Sequence, residues 1–386
     1  MEEKTSAIIR SSVVSKVFLK EEEEEEEMKK RACKKTKCEL VGYDSLPDYL
    51  KDNEFILGYY RCEWPLKETI LSIFSIHNET LNIWTHLIGF LIFLSLAIIT
   101  AMVVQREMST SSMQKYYLGQ VVGTNLTEGL FACLLTTSST GELGHPKRYF
   151  HANNFSNPCI LTTIKDDIAN SIIPQTTIPQ TPHLMNPITR WPFFAFLFGA
   201  MFCLLTSSIC HLILCHSKQT AYIMLRLDYV GISALIVTSF YPLVYYSFLC
   251  QPFYCHLYMT FITTFGVATV SVLLVPALQT ANFRLVRATL FFCMGVSGLV
   301  LVMHKLVAFN HRPEVITSIG YEFLMGTFYG LGVVVYAARI PERWVPGRFD
   351  VVGHSHQLFH LLVIAGAYTH YLAGLVYIKW RDIDKC

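Results

Sequence analysis

Two histidines four residues apart open the last apolar segment of the chain, in Ser355-His356-Gln357-Leu358-Phe359-His360. In a helix, that spacing puts His356 and His360 one turn apart on one face, where both imidazoles can reach one metal ion. Two ligands leave a site incomplete, because a catalytic zinc takes three protein ligands and keeps a fourth position for water. His211, in Ser207-Ser208-Ile209-Cys210-His211, is a third candidate ligand, and Ser207 lies one helical turn from it on the same face. Asp228 adds a carboxylate, the group that can serve as general base beside a metal-activated water.

The elements that must bring these four positions together are apolar. Of 386 residues, 52% are hydrophobic and only 16% are charged, and the mean hydropathy is +0.38. Such values describe a polytopic membrane protein better than a string of soluble domains. A net charge of +2, with basic residues not interleaved with aromatics, argues against a nucleic-acid partner. The twelve cysteines show no CxxC pair, and most lie in apolar segments, where a free thiol behaves as a small hydrophobe. The polar, charged start of the chain does not read as a secretory leader.

Seven apolar segments are near the roughly 20 residues that cross about 30 Å of hydrocarbon. They fall at about 82–104, 192–214, 228–249, 257–278, 288–309, 317–338 and 356–378. Helices are the expected form, because backbone polar groups in lipid must be satisfied within the segment. Pro242 and Pro276 are expected to kink or end their helices. The predicted fold is therefore an all-α membrane protein, a seven-transmembrane helix bundle with a cytosolic N-terminus. The bundle takes in 82–104 and 192–378, with a short amphipathic helix before the first span.

The flanking pieces read differently. Residues 1–40 hold an unbroken acidic run, Glu21 to Glu27, followed by Lys29, Lys30, Arg31, Lys34, Lys35 and Lys37, and are expected to form a disordered cytosolic tail. Residues 41–81 form a cytosolic pre-bundle segment. There Leu66, Ile70, Ile73, Phe74 and His77 have the spacing of a short helix that lies on the membrane surface or packs under the bundle. Residues 105–191 make a long extracellular or lumenal connection rich in Ser, Thr, Asn and Pro, and 379–386 a tail on that same side.

Side is set by charge. Lys218, Arg226, Arg284, Arg287, Arg339, Arg343 and Arg348 follow the second, fourth and sixth segments, whereas Lys305 and Arg312 are all that the short loops after the third and fifth carry. The positive-inside rule places the first group in the cytosol. The sequons at Asn125 and Asn154 then face outward. Cys133 and Cys159 would meet an oxidising space and pair with each other, with Cys250 or with Cys255.

This topology unites the candidate site. The end of the second segment, the start of the third and the start of the seventh lie on one side, so His211, Asp228, His356 and His360 share the cytosolic leaflet. Intramembrane ionisable groups are costly and usually functional. Hydrogen-bonded core histidines remain the competing reading of each imidazole, and the one adopted for His216, His304, His354 and His370. From spacing alone both readings stand.

Several stretches carry a family likeness over roughly 45–105 and 190–380: Leu46-Pro-Asp-Tyr-Leu-Lys-Asp-Asn-Glu54, Ser75-Ile-His-Asn-Glu-Thr-Leu-Asn-Ile-Trp-Thr-His86, Ser207-x-x-x-His211, Leu227-Asp228-Tyr229 and Ser355-His-Gln-x-x-His360. With them the chain resembles the progestin and adipoQ receptor family. Tyr59-Tyr60-Arg61-Cys62-Glu63-Trp64-Pro65-Leu66-Lys67 makes it most similar to the plant heptahelical members. The resemblance implies a zinc ion on His211, His356 and His360, Asp228 holding or activating its water, and Ser207 as a further site residue. It also implies a receptor-like role in hormone or abiotic-stress signalling, at the plasma membrane or an endomembrane, and zinc-dependent hydrolysis of a ceramide-like lipid amide. The long 105–191 connection departs from the adiponectin receptors and puts an adiponectin-type ligand in doubt, so the signalling ligand stays unknown. Two other classes remain open: a non-enzymatic receptor with a structural zinc, and a scaffold that docks cytosolic partners through residues 1–80.

Overall fold

An apolar run in lipid must satisfy its N–H and C=O groups within itself, and the computed structural model builds each of the seven runs as a helix. The structure describes residues 38–106, 109, 188–275, 283–384 and 386. Nearly all of the acidic tail and most of the long connection lie outside them, as do Pro276, Cys133 and Cys159. The chain divides into two units, residues 1–98 with 188–386 and residues 99–187. Ser207, His211, Asp228, His356 and His360 all belong to the first.

A short helix, α1 (Leu66–Leu71), precedes the spans α2 (Thr80–Arg106), α3 (Trp191–Ile213), α4 (Lys218–Ser247) and α5 (Pro252–Leu273). The fifth span is α6 (Arg284–Val296) and α7 (Gly298–Phe309), which meet at Ser297. The last two are α8 (Pro313–Ala338) and α9 (Ser355–Ile383). Proline starts α5 and α8 and stands second in α3, where the missing N–H costs nothing and the fixed φ favours helix. Among the described residues the β-pairing is one isolated bridge, Val41 with Tyr60.

The third span begins earlier than the expected 228. Ser217 caps it by accepting a hydrogen bond from the Thr220 N–H at 3.2 Å. Hydropathy marks where lipid begins, whereas a cap marks where helix begins, and the polar first turns with Lys218, Gln219 and Arg226 lie between the two. Asp228 therefore sits about 15 Å inside α4, at 1.5 Å per residue, rather than at its start. Pro242 does not end α4, which runs on to Ser247.

Helices α3 and α9 are the centre of the bundle. About half of their most apolar windows is buried, 56% and 50%, against 17% for α8. Phe193, Phe196, Leu197, Ala200 and Leu204 of α3 share one core with Val363, Ala367, Tyr371, Ala373 and Tyr377 of α9. Small residues allow close approach, as in other membrane bundles. A Cβ on Gly231 of α4 would come within 2.7 Å of Thr206 Oγ1 and 3.1 Å of the Cys203 Cα in α3. That approach, about one turn from Asp228, carries the carboxylate to α3. Outward-facing Phe198, Val267, Val307 and Phe323, each more than 60% exposed, form the surface that a membrane covers.

The amphipathic stretch before the first span is shorter than its stripe suggests. The helix stops at Leu71 and continues as a 3-10 turn, Ser72–Phe74. Thr69, Ser72 and His77 turn inward, while Leu66, Ile70, Leu71 and Phe74 turn outward. The polar side packs on the protein and the apolar side is left for the membrane surface.

Two further expectations are corrected. Lys305 is no loop residue: it lies in α7, fully buried, with its ammonium 2.6 Å from Glu322 Oε1 and 3.1 Å from Ser318 Oγ of α8, and 2.5 Å from Tyr377 Oη of α9. Cys250 pairs with Cys386 rather than with a cysteine of the connection, and Cys255 is free and buried.

The Lys305 cluster generates a test. Lys305→Met strands the Glu322 carboxylate and should cost about 3–5 kcal/mol, because an unpaired charge is left buried. Adding Glu322→Leu should restore most of the loss. Thermal unfolding in detergent reads both variants. A Lys305→Met protein that melts with the wild type would show that the pair does not hold α7, α8 and α9 together.

Candidate metal centre

His211 lies in the last turn of α3, and His356 and His360 in the first two turns of α9. Their ring centroids form a near-regular triangle: 4.9 Å from His211 to His356, 5.1 Å from His211 to His360 and 4.7 Å from His356 to His360. One nitrogen from each lies within 4.8 Å of the other two. Nitrogens on one zinc stand about 3–3.5 Å apart at Zn–N distances of about 2.0–2.1 Å, so small ring rotations would close the set. His211 and His360 are buried, and His356 is partly exposed.

Whether these rings suit a metal depends on which nitrogen carries hydrogen. His211 Nδ1 is 2.8 Å from Glu79 Oε2. A carboxylate only accepts, so Nδ1 holds the hydrogen, and in the neutral ring Nε2 keeps the lone pair. That Nε2 is buried with no hydrogen-bond partner among the described residues. His360 Nδ1 is 3.2 Å from Thr85 Oγ1, and the Thr85 hydroxyl donates to the Leu81 carbonyl at 2.7 Å. The hydroxyl's one hydrogen is thus engaged, so Thr85 accepts from His360 Nδ1 and leaves Nε2 free. Both rings have the N–H anchored on one side and a lone pair on the other, the arrangement of a metal-ligating imidazole.

Glu79 is itself held in place. Asn82 donates to its Oε2 at 2.6 Å and Asn78 to its Oε1 at 3.3 Å. Burial acts to raise its carboxyl, but the His211 ring and these hydrogen bonds outweigh it and hold Glu79 below the usual carboxylate range. The Glu79 backbone N–H donates to His77 Nδ1 at 3.1 Å, so His77 carries its hydrogen on Nε2 and donates to the Ser72 carbonyl at 3.2 Å. Burial pushes the His77 pKa down to about 4, in keeping with a neutral ring.

Asp228 stands outside the three-histidine group. Its carboxylate lies beside the Ser207 hydroxyl, and its Oδ1 is buried without a partner among the described residues. The chain thus brings all five expected positions, Ser207, His211, Asp228, His356 and His360, to one end of the bundle. Of the other histidines, His216 bonds to the Trp64 carbonyl at 2.9 Å and His304 to the Tyr258 hydroxyl at 2.9 Å. His370 packs edge-on against Phe196, and His354 lies 3.4 Å from the Asn78 carbonyl.

Glu79, Thr85 and His86 escaped the reading by residue type. His86 stacks on His360 with centroids 3.5 Å apart and planes 12° apart. A signal was present: Asn78, Glu79, Asn82, Thr85 and His86 recur with the period of a helix as the chain enters its most apolar span, which marks a polar stripe facing the bundle interior.

Glu79→Gln tests the orienting contact. An amide can also donate, so the His211 tautomer is no longer enforced. Zinc affinity, read by chelator competition, should fall about 10- to 100-fold, the usual effect of losing such a partner. Unchanged affinity would exclude this role for Glu79.

The sequence matches the family described as Haemolysin-III related over residues 74–371. It is 55% identical over 366 residues to heptahelical transmembrane protein 4 of Arabidopsis thaliana, covering 92% of this chain and 93% of that one. It is 52% identical over 382 residues to heptahelical transmembrane protein ADIPOR3 of Oryza sativa subsp. japonica, covering 90% and 92%. The adiponectin receptor protein of Drosophila melanogaster is 30% identical over 338 residues, covering 85% of this chain and 57% of that one. A seven-helix membrane bundle with this polar centre and these relatives belongs to the Haemolysin-III related family, that of the progestin and adipoQ receptors.

Proposed function

We propose that this chain is a signalling membrane protein whose three histidines hold zinc, and that its centre hydrolyses the amide of a long-chain, ceramide-like lipid. One observation carries the reading: the buried lone-pair nitrogens of His211 and His360 converge with His356, while the carboxylate of Asp228 stays just outside the group. A structural zinc fills its four positions with protein groups, whereas three histidines leave one position open. Zinc there would supply Lewis acidity toward a carbonyl oxygen and lower the pKa of a water. The protein's own groups do the rest. Glu79 and Thr85 hold the Nδ1 hydrogens of His211 and His360. The Ser207 hydroxyl orients the Asp228 carboxylate, whose Oδ1 is free to take a proton from water. A centre at helix ends within the bilayer suits a substrate with acyl chains. The role in hormone or abiotic-stress signalling rests on likeness to the heptahelical relatives, and partners would dock on the cytosolic N-terminal region.

The proposed orientation keeps this centre in the cytosolic leaflet. Arg339, Arg343 and Arg348 cluster at its end of the bundle. At the other end Arg190 pairs with Asp382 at 2.7 Å and Arg312 with Asp384 at 2.9 Å. The positive-inside rule counts Lys and Arg and not net charge, so these two arginines, with Lys379, Arg381 and Lys385 of the C-terminal end, oppose this orientation mildly.

Two experiments test these proposals. Asp228→Asn should keep zinc and melting temperature while turnover of a long-chain amide lipid falls about 10²- to 10⁴-fold, the usual effect of losing a general base. Full turnover would remove Asp228 from the chemistry, and a zinc-free, unstable variant would point to a structural metal. For orientation, an Asn-X-Thr acceptor appended to the C-terminus should be glycosylated in cells and one appended to the N-terminus should not. The reverse pattern would invert the topology.

A further inference from the structure

Arg61 is a charged side chain, 3% exposed, that neither the chemistry above nor the expected site includes. It lies in the pre-bundle segment, far from α3 in sequence. Yet its guanidinium donates to the His211 carbonyl at 2.8 Å, to the Leu212 carbonyl at 2.9 Å and to Ser72 Oγ at 2.5 Å. The last four carbonyls of a helix have no partner within it. In α3 these belong to Cys210, His211, Leu212 and Ile213. The Leu214 N–H satisfies Cys210 and the His216 N–H satisfies Ile213. The middle two, one of them on a histidine of the metal group, are satisfied by Arg61.

The backbone around Arg61 is set for this contact. Tyr59 and Glu63, two residues to either side, both adopt left-handed φ, 63° and 50°. Non-glycine residues rarely do so, and such a conformation persists only where the surroundings impose it. The Tyr59 carbonyl is held by the Asn78 N–H at 3.0 Å, next to the residue whose carboxylate binds the His211 ring. Ser72, the third acceptor, presents its carbonyl to His77, whose ring receives the Glu79 N–H. Arg61 thus meets the His211 backbone directly and the His211 ring through Ser72, His77 and Glu79.

We propose that Arg61 is the positioning residue of the metal centre: by capping α3 at His211 and Leu212 it sets the height and rotation of the His211 ring against His356 and His360. This rests on reading the three histidines as metal ligands. Only a planar fork can span two successive carbonyls and a hydroxyl. Lysine would keep the charge but not the span, and methionine would keep the bulk but neither.

Cobalt(II) is the probe, titrated into purified full-length protein in detergent, because its visible absorption reports coordination geometry as well as affinity. Wild type should bind one ion with the intense bands of a four-coordinate site, and His211→Ala should lose it. Arg61→Met should keep the helix content by circular dichroism, bind cobalt about 10- to 100-fold more weakly and show shifted, weaker bands. Arg61→Lys should fall between the two. Wild-type affinity and spectrum in Arg61→Met overturn the proposal while the metal reading stands. Wild type that binds no cobalt, or binds it no better than His211→Ala, overturns both. If Arg61→Met does not fold, Arg61→Lys decides: weaker binding with altered bands supports the positioning role, and wild-type behaviour ends it. Loss of the folded bundle in both variants makes Arg61 a general structural residue and also overturns the proposal.

Discussion

A buried imidazole presents its lone pair in a fixed direction when its other nitrogen is held as N–H by an acceptor. The Glu79 contact to His211 meets that condition, and much of the histidine-bearing end of the bundle is arranged around it. Glu79 is fixed by Asn78 and Asn82 through its side chain and by His77 through its backbone. His77 is fixed by Ser72, Ser72 by Arg61, and Arg61 by the backbone of His211 itself. The chain of hydrogen bonds closes on the residue where it began. Each link tolerates one protonation pattern, so the network specifies a tautomer as well as a position.

The second histidine-bearing helix is anchored by similar means. The buried Glu342 carboxylate accepts from the Ser355 N–H at 2.7 Å and from the Ser355 hydroxyl, at the first residue of α9. A negative group there meets the positive end of the helix dipole. Glu342 also accepts from Asn53 at 3.0 Å, and Asp350 accepts from the Leu57 N–H at 2.9 Å. The pre-bundle segment thus grips the loop before α9 with residues 53–57 and the end of α3 with Arg61. Residues with no share of the apolar spans determine how two of those spans meet.

Lipid-depth charges obey the same economy elsewhere. Lys305, Glu322 and Tyr377 leave no valence open, since the lysine hydrogens meet a carboxylate, a phenol and a serine. At the end of the bundle away from the histidines the Arg381 guanidinium meets the carbonyls of Tyr246 and Ser247 at 2.5 and 2.8 Å, where α4 ends. Both clusters are saturated. The histidine cluster differs in keeping His211 Nε2 and an Asp228 oxygen without partners among the described residues.

The sequence by itself determined the class of fold, because hydropathy acts locally: twenty apolar residues in a row have one stable form in a bilayer, and seven such runs make a seven-helix bundle. It also determined that His211, Asp228, His356 and His360 share one end, because parity follows from counting spans. The i, i+4 spacing put His356 and His360 on one face before any packing was known. Only the tertiary structure decided where α4 begins, because a serine cap outside the apolar run defines it. Only the fold placed Lys305 inside the bundle, because its partners come from two other helices. Only the fold brought Glu79, Thr85 and Arg61 to the histidines, because a side chain's role in a tautomer or a cap depends on which atom of a distant residue it meets. Residue types and spacings carry no record of that pairing.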